Sequence, residues 1–209
     1  MSVTATMVKE LRDRSGAPMM DCKAALVEAG GDLEQAHKLL RQKGQATAAK
    51  RSAKATSEGA VGSYIHGGGK LGVLIEVNCE TDFVARTEDF QRLVKDLAMH
   101  VAASEPRFVE RTEVTEEVLA EEREIYREQA LATGKPEKVV EKIVTGKMEK
   151  YYQEFCLLEQ SFVRDPNQSV QDVISAVIAK CGENIRVKRF TRFVLGQEDP
   201  RRAGANTTR

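Results

Sequence analysis

Apolar residues recur every three or four positions in some stretches and every second position in others. These two periods divide the chain into helical and extended segments. Met7, Val8 and Leu11 share one stripe of a helix expected from Thr6 to Asp13, stopped at Ser15-Gly16-Ala17. Pro18 suits the first turn of a second helix carrying Met19, Met20, Cys22, Ala25, Leu26 and Ala29, which Gly30-Gly31 ends. Asp32 is a good cap for a third helix with Leu33, Ala36, Leu39 and Leu40 on its apolar face, expected to end at Gly44. Residues 1–44 thus read as a three-helix domain with a small core. Residues 45–57 hold no large apolar side chain and are rich in Ala, Lys, Ser and Thr; they read as a linker, with a composition that favours helix.

The period changes after Glu58. Ala60 to His66 alternates, Gly67-Gly68-Gly69-Lys70 makes a turn, and Leu71 to Cys79 is rich in β-branched residues, the pattern of an antiparallel hairpin. A helix follows from Asp89 to Ala103, with Thr87 placed to cap it and Phe90, Leu93, Val94, Leu97, Ala98 and Val101 on its stripe. Pro106 interrupts the pattern. Thr115 to Thr133 predicts a charged helix ending at Gly134-Lys135-Pro136; Glu137 to Thr145 and Lys147 to Leu158 predict two more, divided by Gly146. Residues 162–168, with Pro166, read as a loop. Ser169 caps a helix from Val170 to Lys180 that Gly182 ends. Arg186 to Leu195 alternates again, and this last strand pairs with the hairpin to make a three-stranded antiparallel sheet packed with helices. The fold class is α+β, with a core domain over 58–197 and a patternless, disordered tail over 198–209.

Composition narrows the function. The 209 residues include 32 basic and 32 acidic side chains, so formal net charge is zero. A dedicated nucleic-acid binder carries a basic excess, because phosphate neutralisation supplies its affinity. Charge is nevertheless uneven: Arg41, Lys43, Lys50, Arg51 and Lys54 form a run with no acid among them, and the stretch from Arg186 is basic again. Such runs are the ordinary signature of solvated helix faces. No apolar stretch approaches the about 18 residues a membrane span needs, and the N-terminus lacks the charged-then-apolar pattern of a secretory signal. The cysteines, Cys22, Cys79, Cys156 and Cys181, form no C-x-x-C pair and read as free thiols in a reducing compartment, which points to the cytoplasm.

No catalytic motif assembles. Gly69-Lys70 is followed by Leu71, so the phosphate-binding glycine loop fails and a hairpin turn explains the glycines. His37, His66 and His100 have no metal-ligand spacing. Cys79 and Cys181 sit in apolar patterns rather than beside a base. The acidic pairs Glu116-Glu117 and Glu121-Glu122 lie on a charged helix. No metal or cofactor site, and no enzyme activity, is expected.

Two segments resist a bland reading. Phe83 and Val84 follow Asp82 in a connection between strand and helix, where chains usually run over the surface. Phe83 is either tucked under this loop, the commoner fate of an aromatic ring, or offered to a partner as an anchor. Met19 and Met20 cannot both face one helical stripe, so one of them faces solvent or a partner unless both are partly buried in the small core.

The stretch Val8 to Leu26 (VKELRDRSGAPMMDCKAAL) resembles the opening of the bacterial elongation factor Ts family. Glu76 to Arg86 (EVNCETDFVAR), Leu157 to Asp165 (LLEQSFVRD) and Gly182-Glu183-Asn184-Ile185 are similar too, in the family's order. The resemblance implies that the three-helix domain is ubiquitin-associated-like. It also implies a partner, elongation factor Tu carrying GDP, whose nucleotide exchange the chain promotes. In the family, the turn matching Thr81, Asp82, Phe83 and Val84 enters the GTPase and disturbs its magnesium site. Carried over, Phe83 wedges between partner helices, Asp82 contacts the same region, and Arg12, Met19 and Met20 dock the N-terminal domain on another helix. Longer relatives carry a second core subdomain with an inserted coiled coil. This chain has one hairpin and one late strand, a short form, and some short relatives form a homodimer. Two other function classes compete: an adaptor using the three-helix module, and an RNA-binding factor using the basic runs.

Overall fold

A computed structural model describes residues 3–197. Its first helices are α1 (Ala5–Ser15), α2 (Met19–Glu28) and α3 (Leu33–Arg51). Leu11, Cys22, Ala25, Leu26 and Ala36 are fully buried between them, with Val8 nearly so. Thr4 caps α1 through Met7 N, and Asp32 caps α3 through Gln35 N at 2.9 Å. Gly16 ends α1 in the left-handed conformation, as its position predicts.

The third helix does not end at Gly44. It continues through Gly44 to Arg51, and Gly44 is buried against α8 (Val170–Cys181). A glycine stops a helix only where the chain turns to positive φ, and Gly44 does not. The extension carries Gln45, whose amide donates to Asp172 at 2.7 Å, and Arg41 adds an ion pair to the same carboxylate at 3.1 Å. Asp172 also completes a capping box with Ser169 at the start of α8. Burial works against its charge, but the bonds from Ser169, Gln45 and Arg41 outweigh it and hold the carboxyl below the usual carboxylate range.

Strands β1 (Glu58–His66), β2 (Leu71–Cys79) and β5 (Ile185–Val194) form the expected antiparallel sheet in the order β1-β2-β5. Val73, Ile75, Val77 and Cys79 point inward from β2 onto α5 (Glu88–Ser104), whose buried stripe runs from Phe90 to Val101. The helix lies so close that a Cβ on Gly62 would come within 2.3 Å of Val94 Cγ1. His100 of α5 is fully buried: Val163 N–H donates to its Nδ1 at 3.2 Å, so the ring proton sits on Nε2 and bonds Gln160 at 2.9 Å.

Two further helices form an antiparallel pair, α6 (Glu116–Leu131) and α7 (Glu137–Phe155), around Leu119, Met148 and Tyr151. The division expected at Gly146 is absent: one helix runs through it, again without positive φ. The segment 162–168, expected as a loop, contributes a small hairpin, β3 (Ser161–Phe162) with β4 (Asp165–Ser169). Pro166 is tolerated there because the hairpin has only two strands, both edges. The tail expected over 198–209 lies outside the described residues.

Candidate functional site

The polar connection after β2 folds into a single helical turn, α4 (Asp82–Ala85). Helix nucleation is unfavourable, so four residues cannot hold this shape unaided. Their neighbours supply the hold. Thr81 caps the turn, its hydroxyl accepting from Val84 N at 3.5 Å. Val84 and Ala85 are buried in the main core beside Phe90. Thr87 donates to Val84 O at 2.8 Å and Gln91 to Ala85 O at 2.6 Å.

On this turn Phe83 is 80% exposed, the most exposed large apolar side chain among the described residues. The tucked alternative is thereby overturned: α5 and β2 already complete the core, and Val84 takes the inward position. Asp82 is partly exposed beside the ring and pairs with Arg86 at 2.5 Å.

Below the turn the chemistry is inert. Burial, with the Glu183 carboxylate nearby, pushes the Cys79 thiol up to about 11, so it remains a donor, to Thr81 O at 3.1 Å. Burial likewise pushes Cys181 upward. Neither has the depressed pKa of a nucleophile. Among the described residues, no group of three or more His, Cys, Asp and Glu could hold a metal ion, and no helix is long and apolar enough to cross a membrane.

The N-terminal candidates lie elsewhere. Arg12 is exposed near the end of α1. Met19 and Met20, at the start of α2, are 47% and 71% exposed, so the core takes neither of them fully. Arg12, Met19 and Met20 lie on α1 and α2, whereas Thr81 to Val84 belong to the core sheet's connection. Within the basic run, Arg41 pairs with Asp172, Lys43 with Glu28 and Arg51 with Glu80, so three of its five cations are partly neutralised.

Pattern reading missed the surface of the sheet. Cross-strand partners share a face, which puts Ile65, Gly72 and Phe193 in one row and Ser63, Leu74 and Thr191 in the next. Val61, Ile65, Leu74 and Phe193 are all exposed on this outer face. The signal was present in the strands themselves, which carry large apolar residues at both parities.

Exposed apolar side chains on a braced turn, a helical module and a sheet describe an α+β protein suited to macromolecular contact. Comparison with known proteins identifies it further. The family model for elongation factor TS matches residues 2–197. The elongation factor Ts of Moorella thermoacetica is 63% identical over 195 residues, covering 93% of this chain and 96% of that protein. Those of Koribacter versatilis and Geobacter sulfurreducens are 60% and 58% identical, each over 94% of this chain and 90% and 91% of theirs. The chain belongs to the elongation factor Ts family, a family of translation elongation factors.

Proposed function

We propose that this protein is a guanine-nucleotide exchange factor: it binds elongation factor Tu in its GDP form and promotes GDP release, so that GTP can enter. The observation that carries the reading is the exposed Phe83 ring on a one-turn helix tied down on every other side. A rigid aromatic anchor enters a partner pocket without a large ordering cost. Thr81, Asp82, Phe83 and Val84 form the element that disturbs the partner's Mg²⁺ site. Mg²⁺ demands near-ideal octahedral geometry, so a small displacement of the groups around it weakens nucleotide binding. By linkage, a factor that lowers GDP affinity is itself bound more weakly when GDP is present, and this lets it turn over. Arg12, Met19 and Met20 dock a ubiquitin-associated-like domain over 1–44; a linker over 45–57 joins it to the core over 58–197. The protein does no covalent chemistry of its own and works in the cytoplasm. Release of labelled GDP from elongation factor Tu tests the reading: an unchanged rate with the protein in excess refutes it.

A second copy of this chain is the partner that the outer sheet face favours. Val61, Ile65, Leu74 and Phe193 form an apolar face, and Glu76 with Arg189 (2.7 Å) lies beside Val61. Monomeric proteins rarely leave such a surface uncovered, and a two-fold axis sets one apolar row on another. Ile65→Lys with Phe193→Lys is expected to halve the mass measured by sedimentation while leaving the helical circular dichroism unchanged. A wild-type chain that sediments as a monomer at high concentration contradicts the homodimer.

A further inference from the structure

The Gly182-Glu183-Asn184-Ile185 segment has no part in the contacts proposed above, yet it lies directly behind the Phe83 turn. Gly182 ends α8 at φ 73, a conformation that favours glycine, and the chain then reverses towards β2. The reversal brings Glu183 to Thr81, 102 residues earlier in the sequence. One carboxylate oxygen accepts the Thr81 backbone N–H at 3.0 Å and the other accepts the Thr81 hydroxyl at 2.7 Å. Asn184 continues the bracket: its N–H donates to Glu80 at 2.7 Å, and its buried side-chain amide donates to Lys54 O at 2.8 Å, just beyond α3.

The hydroxyl of Thr81 has one proton. Spending it on Glu183 fixes the rotor and leaves an oxygen lone pair aimed at Val84 N–H, the capping bond of the turn. Cys79 Sγ fixes the Thr81 carbonyl from the core side. Thr81 is therefore held at its N–H, hydroxyl and carbonyl, and two of these three holds come from Glu183. Charge-assisted bonds to a carboxylate are stronger than neutral ones.

We infer that Glu183 is a positioning residue for the exchange activity: its carboxylate straps Thr81 and thereby fixes the angle at which Phe83 is presented. The inference rests on the exchange reading given above. Without the strap the ring is still present and still exposed, but the four-residue turn samples other shapes, and the partner must order it on binding. Glu183→Ala removes both acceptors. Glu183→Gln keeps the shape, accepts one bond and turns the other into a neutral donation to the hydroxyl, so it loosens the turn less.

The experiment combines amide hydrogen exchange on the full chain with labelled-GDP release from elongation factor Tu. For Glu183→Ala, exchange at residues 81–86 is expected to accelerate by about tenfold or more, with protection of β2 and α5 retained. GDP release at saturating protein is expected to slow by a comparable factor, about tenfold, and Glu183→Gln to fall between the variant and the wild type. Unchanged amide exchange at 81–86 overturns the strap. A loosened turn with undiminished GDP release overturns the positioning role, as does loss of protection throughout the core in both variants, which marks a merely structural residue. If the wild-type chain does not accelerate GDP release from elongation factor Tu, the exchange reading fails and takes the positioning role with it. The amide measurement then still decides whether Glu183 holds the turn.

Discussion

Truncating Phe83 to Ala separates an anchor from a core residue by magnitude. The ring is 80% exposed, so about one-fifth of it is covered by the protein's own atoms. Aromatic side chains bury roughly 150–250 Å² when fully covered, and one-fifth of that is about 40 Å². At about 25 cal/mol per Å² the folded state loses about 1 kcal/mol. For a chain of this size that lowers Tm by about 2–4 °C. Phe90, seven positions on, is fully buried and serves as the control. Its truncation is expected to cost about 3–5 kcal/mol, or about 6–20 °C. In the assay the order reverses its meaning: a hot-spot aromatic contributes about 2 kcal/mol or more to a partner contact, so Phe83→Ala is expected to slow labelled-GDP release from elongation factor Tu about 30-fold at subsaturating protein. Two results refute this reasoning. One is a Tm loss for Phe83→Ala as large as that for Phe90→Ala. The other is normal nucleotide release from a folded Phe83→Ala protein.

Further expectations concern the scaffold. Burial pushes the His100 pKa below its usual value, with the Gln160 bond offsetting part of the shift. The unfolded chain therefore takes up the proton first, and stability is lost as pH falls from about 6.5 towards the lower folded value, by at most about 1.4 kcal/mol per pH unit; denaturant midpoints across that range check it, and His100→Asn is expected to flatten the slope. Asp172→Ala removes the α8 capping box and the bonds to Gln45 and Arg41. A loss of about 2–3 kcal/mol is expected, with Asp172→Asn milder, both read from urea unfolding. Gly62→Ala places a methyl against Val94 Cγ1, a stiff β-branched side chain on a helix; overpacking of about 1–3 kcal/mol is expected by the same measurement.

The sheet was legible because β1 and β5 alternate over most of their length, β2 is rich in β-branched residues, and the Gly67-Gly68-Gly69 turn fixes the hairpin; the apolar residues at the opposite parity, such as Leu74, left its outer face unread. Helix α5 was legible through its unbroken stripe. The glycines misled where they sat inside helices. Gly44 and Gly146 look like stops, but tertiary packing carries α3 and α7 across them at a cost of about 1 kcal/mol relative to alanine. The β3–β4 hairpin was hidden because a two-residue strand has no period to read, and Pro166 argues against strand. At the candidate site, the sequence singled out the Phe83 turn but could not give its pose. Phe83 had two possible fates, and the choice depended on whether Val84 and the α5 stripe already filled the core. The Glu183 strap was out of reach because it joins residues 102 positions apart: the motif around Glu183 could be seen in sequence, but not that its carboxylate meets Thr81.

The proposed exchange activity requires the 81–86 turn to be the surface that meets the partner. Amide hydrogen exchange of the chain, alone and with excess nucleotide-free elongation factor Tu, tests this directly. New protection centred on residues 82–86, together with slower exchange around Met19 and Met20, is the predicted result. Protection elsewhere, with the Phe83 turn exchanging as fast in the complex as in the free protein, contradicts the account.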